Sequence, residues 1–354
     1  MTFYKFLVFS LFISLFLSLS ARTVYAEITP YGYIRANMAY TDSGQITYDN
    51  GDRLFYVNGE NGSVFALHAR QTRLGIKSNK KLSDTSDIMG LIEVDFYHNE
   101  NNALETKVPL RLRKAAIHIT SGDTTFVLGQ EGDIISPLYP TMLDFAVGLY
   151  GGNTGWRRPQ FRVEHEWDKF KLQGSINRAS LNRENNGSPD LQIRGSYNSK
   201  QVTVGLGYMA GKEADVALPG IPTTKFDVHL LVGDIKFKTG NLLVKGEIYS
   251  GRNCGDYFSL SGIDQDETGG WIDLGISLDD KNTVSIGASG TSIKLIDRLI
   301  VAQRVEQQLK WINLIHKFTK DFSMGLEYKH HESQYHNTAD FNANRFEMMF
   351  NFTI

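Results

Sequence analysis

The sequence predicts an all-β protein, a transmembrane antiparallel β-barrel of about 16 strands with one long loop folded inside it. Three observations predict this fold. Sixteen segments alternate between apolar and polar residues, the last keeps an apolar face up to the chain end, and no helix-length apolar stretch follows the first 26 residues. In such a barrel the apolar face of each strand meets lipid, and the polar face lines the lumen.

The first 26 of the 354 residues are typical of a secretory signal peptide. Lys5 precedes an apolar run from Phe6 to Leu19, and Val24-Tyr25-Ala26 forms a small-residue cleavage site. We therefore expect residues 1–26 to be a signal peptide and residues 27–354 to form one barrel domain.

The composition also favours a barrel. Thirty-three glycines, 16 tyrosines and 21 phenylalanines stand beside 8 prolines, which is typical of a glycine- and aromatic-rich β protein. The formal net charge is −2, and the sequence contains no polybasic tail. We therefore expect no nucleic-acid partner. Cys254 is the single cysteine, so an intramolecular disulfide and a cysteine-based metal site are excluded.

Sixteen strands are predicted, most of them joined by alternating long and short connections. They are residues 31–40, 64–77, 88–97, 110–120, 124–130, 158–167, 169–178, 191–197, 202–208, 225–238, 242–248, 271–278, 283–290, 303–318, 322–332 and 344–354. An even count places both ends of the barrel on the periplasmic side. Residues 291–302 are ambiguous between a short helix and extensions of the flanking strands.

Charge lies on the face that alternation assigns to the lumen. Leu74 and Ile76 point outward in the second strand, so Arg73 points inward. In the fourth strand, Arg111 and Arg113 share the inward face. The sixth strand has Pro159, Phe161, Val163, His165 and Trp167 on one face and Arg158, Gln160, Arg162, Glu164 and Glu166 on the other.

Residues 131–157 interrupt the strand pattern. Their middle is apolar, with Pro137 and Pro140, and their end is rich in glycine. Loops longer than roughly 12–15 residues are usually functional or disordered, and the aliphatic and aromatic content here disfavours disorder. We expect a constriction loop folded into the lumen; the alternative is an extracellular loop that packs on its neighbours.

The runs LGQ (128–130), SPLYPTMLDF (136–145) and GNTGWRRPQFRVEH (152–165) resemble the third loop and following strand of DcaP-like trimeric outer-membrane porins. The last strand, with Phe346, Phe350 and Phe352 on one face, resembles the C-terminal insertion signal of outer-membrane barrels. The resemblance implies a homotrimeric porin in the outer membrane of a Gram-negative bacterium, in contact with its lipid and lipopolysaccharide. It also implies a loop that narrows the lumen and passage of small dicarboxylates.

The candidate residues of the pore constriction and its substrate-binding surface are Arg73, Arg111, Arg113, Arg158, Arg162, Glu131, Asp133 and Asp144. Wall arginines opposite loop carboxylates would create a transverse field, and fixed charges in a narrow aqueous channel select ions by sign. The arginine fork suits carboxylates and phosphates, so we expect a mild preference for small anionic solutes. In the alternative, the wall arginines only anchor the loop through salt bridges.

The sequence contains no phosphate-binding glycine loop, no HExxH and no GxSxG, so no catalytic residue, metal site or cofactor is predicted. The run 251–270 resembles a calcium-binding loop only superficially, because it lacks the full carboxylate spacing. A structural or adhesive barrel without a substantial pore is the main alternative function. An outer-membrane hydrolase is the second.

Overall fold

The computed structural model describes residues 27–42, 62–96, 109–143, 152–179, 188–214, 225–254, 265–295, 303–336 and 339–354. These residues form seventeen β-strands and no helix. The strands are β1 (Glu27–Thr41), β2 (Val64–His68), β3 (Arg73–Ser83), β4 (Ser86–Asp95), β5 (Arg111–Ser121), β6 (Thr124–Gly132), β7 (Arg157–Trp167), β8 (Phe170–Asn177), β9 (Asp190–Asn198), β10 (Val202–Ala214), β11 (Lys225–Thr239), β12 (Leu242–Arg252), β13 (Gln265–Ser277), β14 (Asn282–Leu295), β15 (Gln303–Lys317), β16 (Phe322–His336) and β17 (Phe341–Thr353). None of the described residues belongs to a helix long and apolar enough to cross a membrane.

The strands close into a barrel of sixteen positions. From β3 onward each strand pairs antiparallel with the next, and β17 pairs with β1 from Tyr33↔Thr353 to Thr41↔Arg345. Both β2 and β3 pair with β1, so together they fill one position. This closure leaves no sheet edge unpaired among the described strands and confirms the predicted fold class and strand number.

The second predicted strand, 64–77, is divided at residues 69–72. Arg70, Gln71 and Thr72 are buried there, and the Thr72 hydroxyl accepts a hydrogen bond from the main-chain nitrogen of Arg35 at 3.0 Å. At residues 69–72 the chain between β2 and β3 does not pair with β1. The Thr72 hydroxyl takes the place of a backbone acceptor for the Arg35 nitrogen there. Alternation by itself does not signal such a break.

Short turns lie on one rim and long connections on the other. Tight turns at Gly122 and Asp168 use positive φ angles of 55° and 53°. On the opposite rim the strands extend further than alternation indicated, because β13 already begins at Gln265 and β14 continues to Leu295. The predicted loop 251–270 is therefore partly strand, as are residues 291–295; residues 296–302 lie outside the described part of the chain.

The two faces of the strands differ as predicted. Ile34, Leu206 and Ile272 point outward and are more than half exposed, whereas Asn37 and Asp273 point inward and are buried. On the short-turn rim the outward aromatic rings form contacts along the barrel, with centroid distances of 6.5 Å between Trp167 and Phe170 and 5.4 Å between Phe170 and Tyr197. An apolar outer band edged by aromatic rings is the surface of a membrane-spanning barrel. Phe346, Phe350 and Phe352 lie on this outer face.

Candidate functional site

The constriction loop is the segment 133–156 between β6 and β7, of which residues 133–143 and 152–156 are described. Ile134 and Ile135 are buried inside the barrel against an apolar patch on the inner wall. The patch consists of Met209, Val228, Leu230, Val232, Tyr249 and Cys254. Burying two isoleucine side chains contributes roughly 3–6 kcal/mol, so this patch holds the start of the loop to β10–β12. The predicted inward folding of the loop is confirmed.

Carboxylates on the inner wall accept hydrogen bonds from the main chain of the loop. The pairs are Leu138 N with Glu247 Oε1 at 2.9 Å, Thr141 N with Asp273 Oδ2 at 2.8 Å, and Leu143 N with Glu327 Oε2 at 3.0 Å. Each of these carboxylates thereby satisfies a main-chain N–H of the loop that faces the wall. The described part of the loop therefore follows the inner wall from β10 to β16 instead of crossing the middle of the lumen.

Cationic side chains of the wall hold the carbonyl groups of the same loop. Lys245 Nζ donates hydrogen bonds to the Tyr139 carbonyl oxygen at 2.8 Å and to the Thr141 hydroxyl at 2.9 Å. The Arg35 guanidinium donates to the carbonyl oxygen of Leu143. The loop backbone thus finds partners on the wall for both its donors and its acceptors, as a buried backbone must.

A buried ionic cluster lies on the wall beneath Leu143. Lys329 Nζ is 3.1 Å from both Glu327 Oε1 and Glu347 Oε2, and Arg345 Nε is 3.4 Å from Glu347 Oε2. Asn37 donates to Glu347 at 2.7 Å. Because each carboxylate has a cation and a hydrogen-bond donor, the cost of burying these charges is offset.

Glycines on the wall give the loop the space to approach. A Cβ added at Gly207 would lie 2.9 Å from Ile135 Cα, and one added at Gly325 would lie 2.6 Å from a methyl carbon of Leu143. At Gly207 an added carbon would meet the loop backbone, so the loop would have to shift, whereas at Gly325 it would meet only side-chain ends. Gly207 therefore fixes how closely the loop approaches β10.

The returning half of the loop packs against its first half. Asn153 Nδ2 donates to the Leu138 carbonyl oxygen at 3.1 Å, and Asn153 Oδ1 accepts from Gly155 N at 3.0 Å. Gly152 has a φ of 123° and lies so close to β13 that an added Cβ would be 2.3 Å from the Gly270 carbonyl oxygen. Only glycine combines this backbone conformation with this approach.

Three of the predicted arginines form one cluster on the opposite wall. Arg111 makes a two-point hydrogen bond to Asp95 at 2.8 and 2.7 Å, and Arg113 contacts Glu93 and Asp95 at 2.8 Å each. Arg73 Nε lies 3.6 Å from Glu93 Oε1. Three guanidinium groups thus share two carboxylates, which leaves this cluster net positive.

The other two predicted arginines, Arg158 and Arg162, lie on β7, and each forms ion pairs with carboxylates. Arg158 lies 3.2 Å from Asp133 and 2.7 Å from Asp190, and Arg162 lies 2.7 Å from Glu164. Burial raises the pKa of Asp133 above its usual range, against the attraction of the Arg158 guanidinium. Arg158 therefore joins the start of the loop to β9, which is the anchoring role that the sequence left open.

The predicted carboxylates are spread over strand and loop. Glu131 belongs to β6, where it lies 2.6 Å from Lys114 Nζ and 3.5 Å from His118. Asp133 is in the loop and turned toward Arg158. Asp144 lies outside the described residues. In the described part of the chain, the loop therefore presents no carboxylate to the Arg73, Arg111 and Arg113 cluster.

Arg157 is the first residue of β7. It shares the strand face of Pro159 and Phe161, so alternation assigns it to lipid. In the structure, Arg157 pairs with Gly132 at the end of the β6–β7 ladder. Arg111, Arg113 and the Tyr139 phenol lie within electrostatic reach of its guanidinium.

Charge is unevenly distributed around the lumen. Among the charged groups of β3–β6 that contact one another, four cations, Arg73, Arg111, Arg113 and Lys114, stand against three carboxylates, Glu93, Asp95 and Glu131. On the far wall, Glu247, Asp273 and Glu327 are buried and bonded to the loop. The loop thus covers carboxylates and leaves the cation-rich wall facing it across the lumen.

Several solved structures share this architecture. The outer membrane channel DcaP of Acinetobacter baumannii superposes with a TM-score of 0.78 at 18% identity, covering 95% of this chain and 99% of that chain. The OmpF porin of Salmonella typhi, solved with daunomycin, gives 0.68 at 11% identity over 94% and 99%. An anion-selective porin from Comamonas acidovorans gives 0.65 at 10% identity over 93% and 100%.

No protein-family model matches the chain, and no curated protein sequence matches it. At identities of 10–18%, the similarity extends to the fold. The closed sixteen-strand barrel and its inward loop therefore give this chain a DcaP-like fold, that of the Gram-negative outer-membrane porins.

Proposed function

We propose that this protein forms a water-filled diffusion channel for small hydrophilic solutes in the outer membrane of a Gram-negative bacterium. A sixteen-strand barrel is wide enough to enclose an aqueous channel. Inside it, the described loop residues follow one wall, and solvent reaches side chains that lie within the barrel. Tyr139 is 43% exposed and the Arg111 side chain 31% exposed, although both are inside the barrel. This solvent-accessible interior is the observation that carries the proposal.

The channel prefers anions, with small dicarboxylates as the proposed solutes. The excess of cations in the Arg73, Arg111 and Arg113 cluster supports this preference, since groups within a screening length of about 8 Å shape the field that a passing ion meets. Guanidinium forks bind carboxylates in two-point geometry. The Comamonas acidovorans structure that shares the fold is described as an anion-selective porin.

The protein is a homotrimer in this proposal, with outer-membrane lipid and lipopolysaccharide around its apolar band. One of the structures with the same fold, OmpT of Vibrio cholerae, was solved in a trimer form. No catalytic role is proposed for any residue.

Planar-bilayer recording of the detergent-purified protein tests the function directly. A porin gives discrete conductance steps whose size scales with the bulk salt concentration. In a KCl gradient, an anion-preferring channel gives a zero-current potential with the sign expected for chloride selectivity. A structural or adhesive barrel inserts without conductance steps, which would overturn the proposal. Conductance steps with a zero-current potential of the sign for cation selectivity would support the channel but contradict the anion preference.

A further inference from the structure

We propose that the outer face of β7–β10 binds an anionic phospholipid of the periplasmic leaflet. One acyl chain lies in a groove beside Gly195, and the phosphate of the headgroup meets Lys169 and Lys200. The site is on the lipid-facing side of the wall, so it goes beyond the proposed channel and does not depend on it.

The groove has a volume of about 420 Å³ and crosses β7–β10 on the outer face. Gly195 of β9 lies in it, and a Cβ added there would meet nothing within 4 Å. The residues that pair with Gly195 are Leu172 on β8 and Leu206 on β10, whose outward side chains are 45% and 59% exposed. A missing side chain between two outward leucines leaves a hollow with apolar walls, into which a hydrocarbon chain can pack.

Aromatic rings close the groove at the short-turn rim. Trp167, Phe170 and Tyr197 line this end and contact one another in a row. Aromatic side chains of membrane proteins lie at the level of the lipid headgroups. The groove therefore runs from the headgroup level toward the middle of the membrane, which is the direction of a lipid chain.

Two neighbouring turns at this end carry one lysine each. Lys169 lies in the turn between β7 and β8, and Lys200 lies in the turn between β9 and β10. The main-chain nitrogen of Asn198 donates a 2.7 Å hydrogen bond to the carbonyl oxygen of Lys169, so the two turns are adjacent. Short turns of bacterial outer-membrane barrels face the periplasm, where the leaflet consists of phospholipid.

The charge of these turns fits an anion. Both lysines are exposed, and in the described part of the chain neither forms an ion pair. Asp168 is the single carboxylate in turns 168–169 and 199–201. The next carboxylate along the chain, Glu166, faces the interior and lies 2.9 Å from Lys171. Two lysines against one carboxylate leave a positive excess beside the groove.

Other turns on this rim lack such an excess. Lys281 shares its turn with Asp279 and Asp280, and Lys320 lies 3.8 Å from Asp321. Basic side chains near a membrane surface attract anionic lipids. A zwitterionic lipid brings its own cation to the same place, so the two unpaired lysines select an anionic headgroup.

Trp167 is a built-in reporter of the groove. It is 47% exposed on the outer face, whereas Trp271 and Trp311 are buried on the inner face and Trp156 packs against the inner apolar patch. Bromine atoms on an acyl chain quench tryptophan fluorescence on contact. We would reconstitute the full-length mature barrel in phosphatidylcholine vesicles and add a small fraction of either brominated phosphatidylglycerol or brominated phosphatidylcholine with the same chains.

The wild type should be quenched more by the phosphatidylglycerol than by the phosphatidylcholine at equal fraction. Lys169→Gln combined with Lys200→Gln should lower this preference by about fivefold for each lysine. Lys281→Gln combined with Lys320→Gln is the matched control on the same rim and should keep the wild-type preference. Equal quenching of the wild type by the two lipids overturns the inference, and so does an equal loss in both double variants, which would indicate diffuse surface charge.

Gly195→Leu tests the groove itself, because the new side chain occupies the place of the acyl chain. It should reduce the preference for phosphatidylglycerol, whereas Gly90→Leu should not. Gly90 is the matched control, since it also faces outward and a Cβ there meets nothing within 4 Å. Heat-modified mobility in gels confirms that each barrel is folded. A folded Gly195→Leu protein with the wild-type preference shows that no chain is seated beside Gly195.

Discussion

The main-chain nitrogen of Leu143 donates a 3.0 Å hydrogen bond to the carboxylate of Glu327, which lies 184 positions further along the chain. The same carboxylate contacts Lys329 at 3.1 Å within the buried cluster of β16 and β17. The position of the loop is thus coupled to the last strands of the barrel. Breaking such contacts should change the pore before it unfolds the barrel, since the strand pairing does not depend on them.

Glu247 offers a direct test of this attachment. It accepts hydrogen bonds from Ser136 Oγ at 2.6 Å, Leu138 N at 2.9 Å and Trp271 Nε1 at 3.1 Å. Glu247→Leu leaves these donors unsatisfied, at a cost of about 1–3 kcal/mol for each donor that stays buried. We expect a lower unfolding temperature and fluctuating single-channel current. Asp280→Leu, in an exposed turn, is the control; equal behaviour of the two variants would argue against the attachment.

Gly207 tests how closely the loop must approach the wall. In Gly207→Ala the new Cβ would lie 2.9 Å from Ile135 Cα, so the loop has to shift, at a cost of about 1–3 kcal/mol. Gly195→Ala is matched to it, because a Cβ there meets nothing within 4 Å. Thermal unfolding should separate the two variants. A Gly207→Ala protein as stable as Gly195→Ala would show that the loop root can move freely.

Deleting Ile135 to Ala146 tests whether the loop limits the pore. The barrel should remain folded, because its strands pair without the loop, and single-channel conductance should rise because the lumen widens. Shortening the connection 215–224 by a similar length is the control for a general effect of deletion. Unchanged conductance in the variant lacking 135–146 would show that the narrowest part of the pore lies elsewhere.

Arg158→Ser should make stability depend on pH. The change leaves Asp133 and Asp190 without their shared guanidinium, and removing one partner of a buried pair costs about 3–5 kcal/mol. Burial already raises the folded-state pKa of Asp133, so its charged form opposes folding above its unfolded pKa of about 3.9. Without the guanidinium this opposition grows as pH rises.

The stability deficit of Arg158→Ser should therefore be large at neutral pH and shrink as pH falls toward the unfolded pKa. Denaturant unfolding at a series of pH values measures it. Adding Asp133→Asn to Arg158→Ser should remove part of the pH dependence. A deficit that stays constant with pH would exclude this explanation.

The proposed homotrimer predicts a single main species of three chains in native mass spectrometry from mild detergent. Its physical basis is the outer apolar surface, which can be shared between copies as well as covered by lipid. If protein that conducts in bilayers gives only monomers in the mass spectrum, the proposed trimer is wrong and the proposed channel stands.

Alternation predicted the strands well because each one faces lipid on one side and the interior on the other. Arg73, Arg111 and Arg113 were placed inside the barrel on this basis, and they lie there. The same reasoning gave no sign of the inner apolar patch, since the inward Leu230 and Val232 and the outward Leu231 form one continuous apolar run.

The sequence by itself determined the barrel and the segment that folds into it, because period-two alternation and a long apolar insertion are local properties of the chain. Tertiary structure decided which charges neutralise each other and which face the lumen. Glu327 and Leu143 meet only after the barrel closes, and Arg158 finds Asp190 only when β7 and β9 flank the same strand. Pairings between distant segments depend on strand register and ribbon direction, which no local pattern encodes.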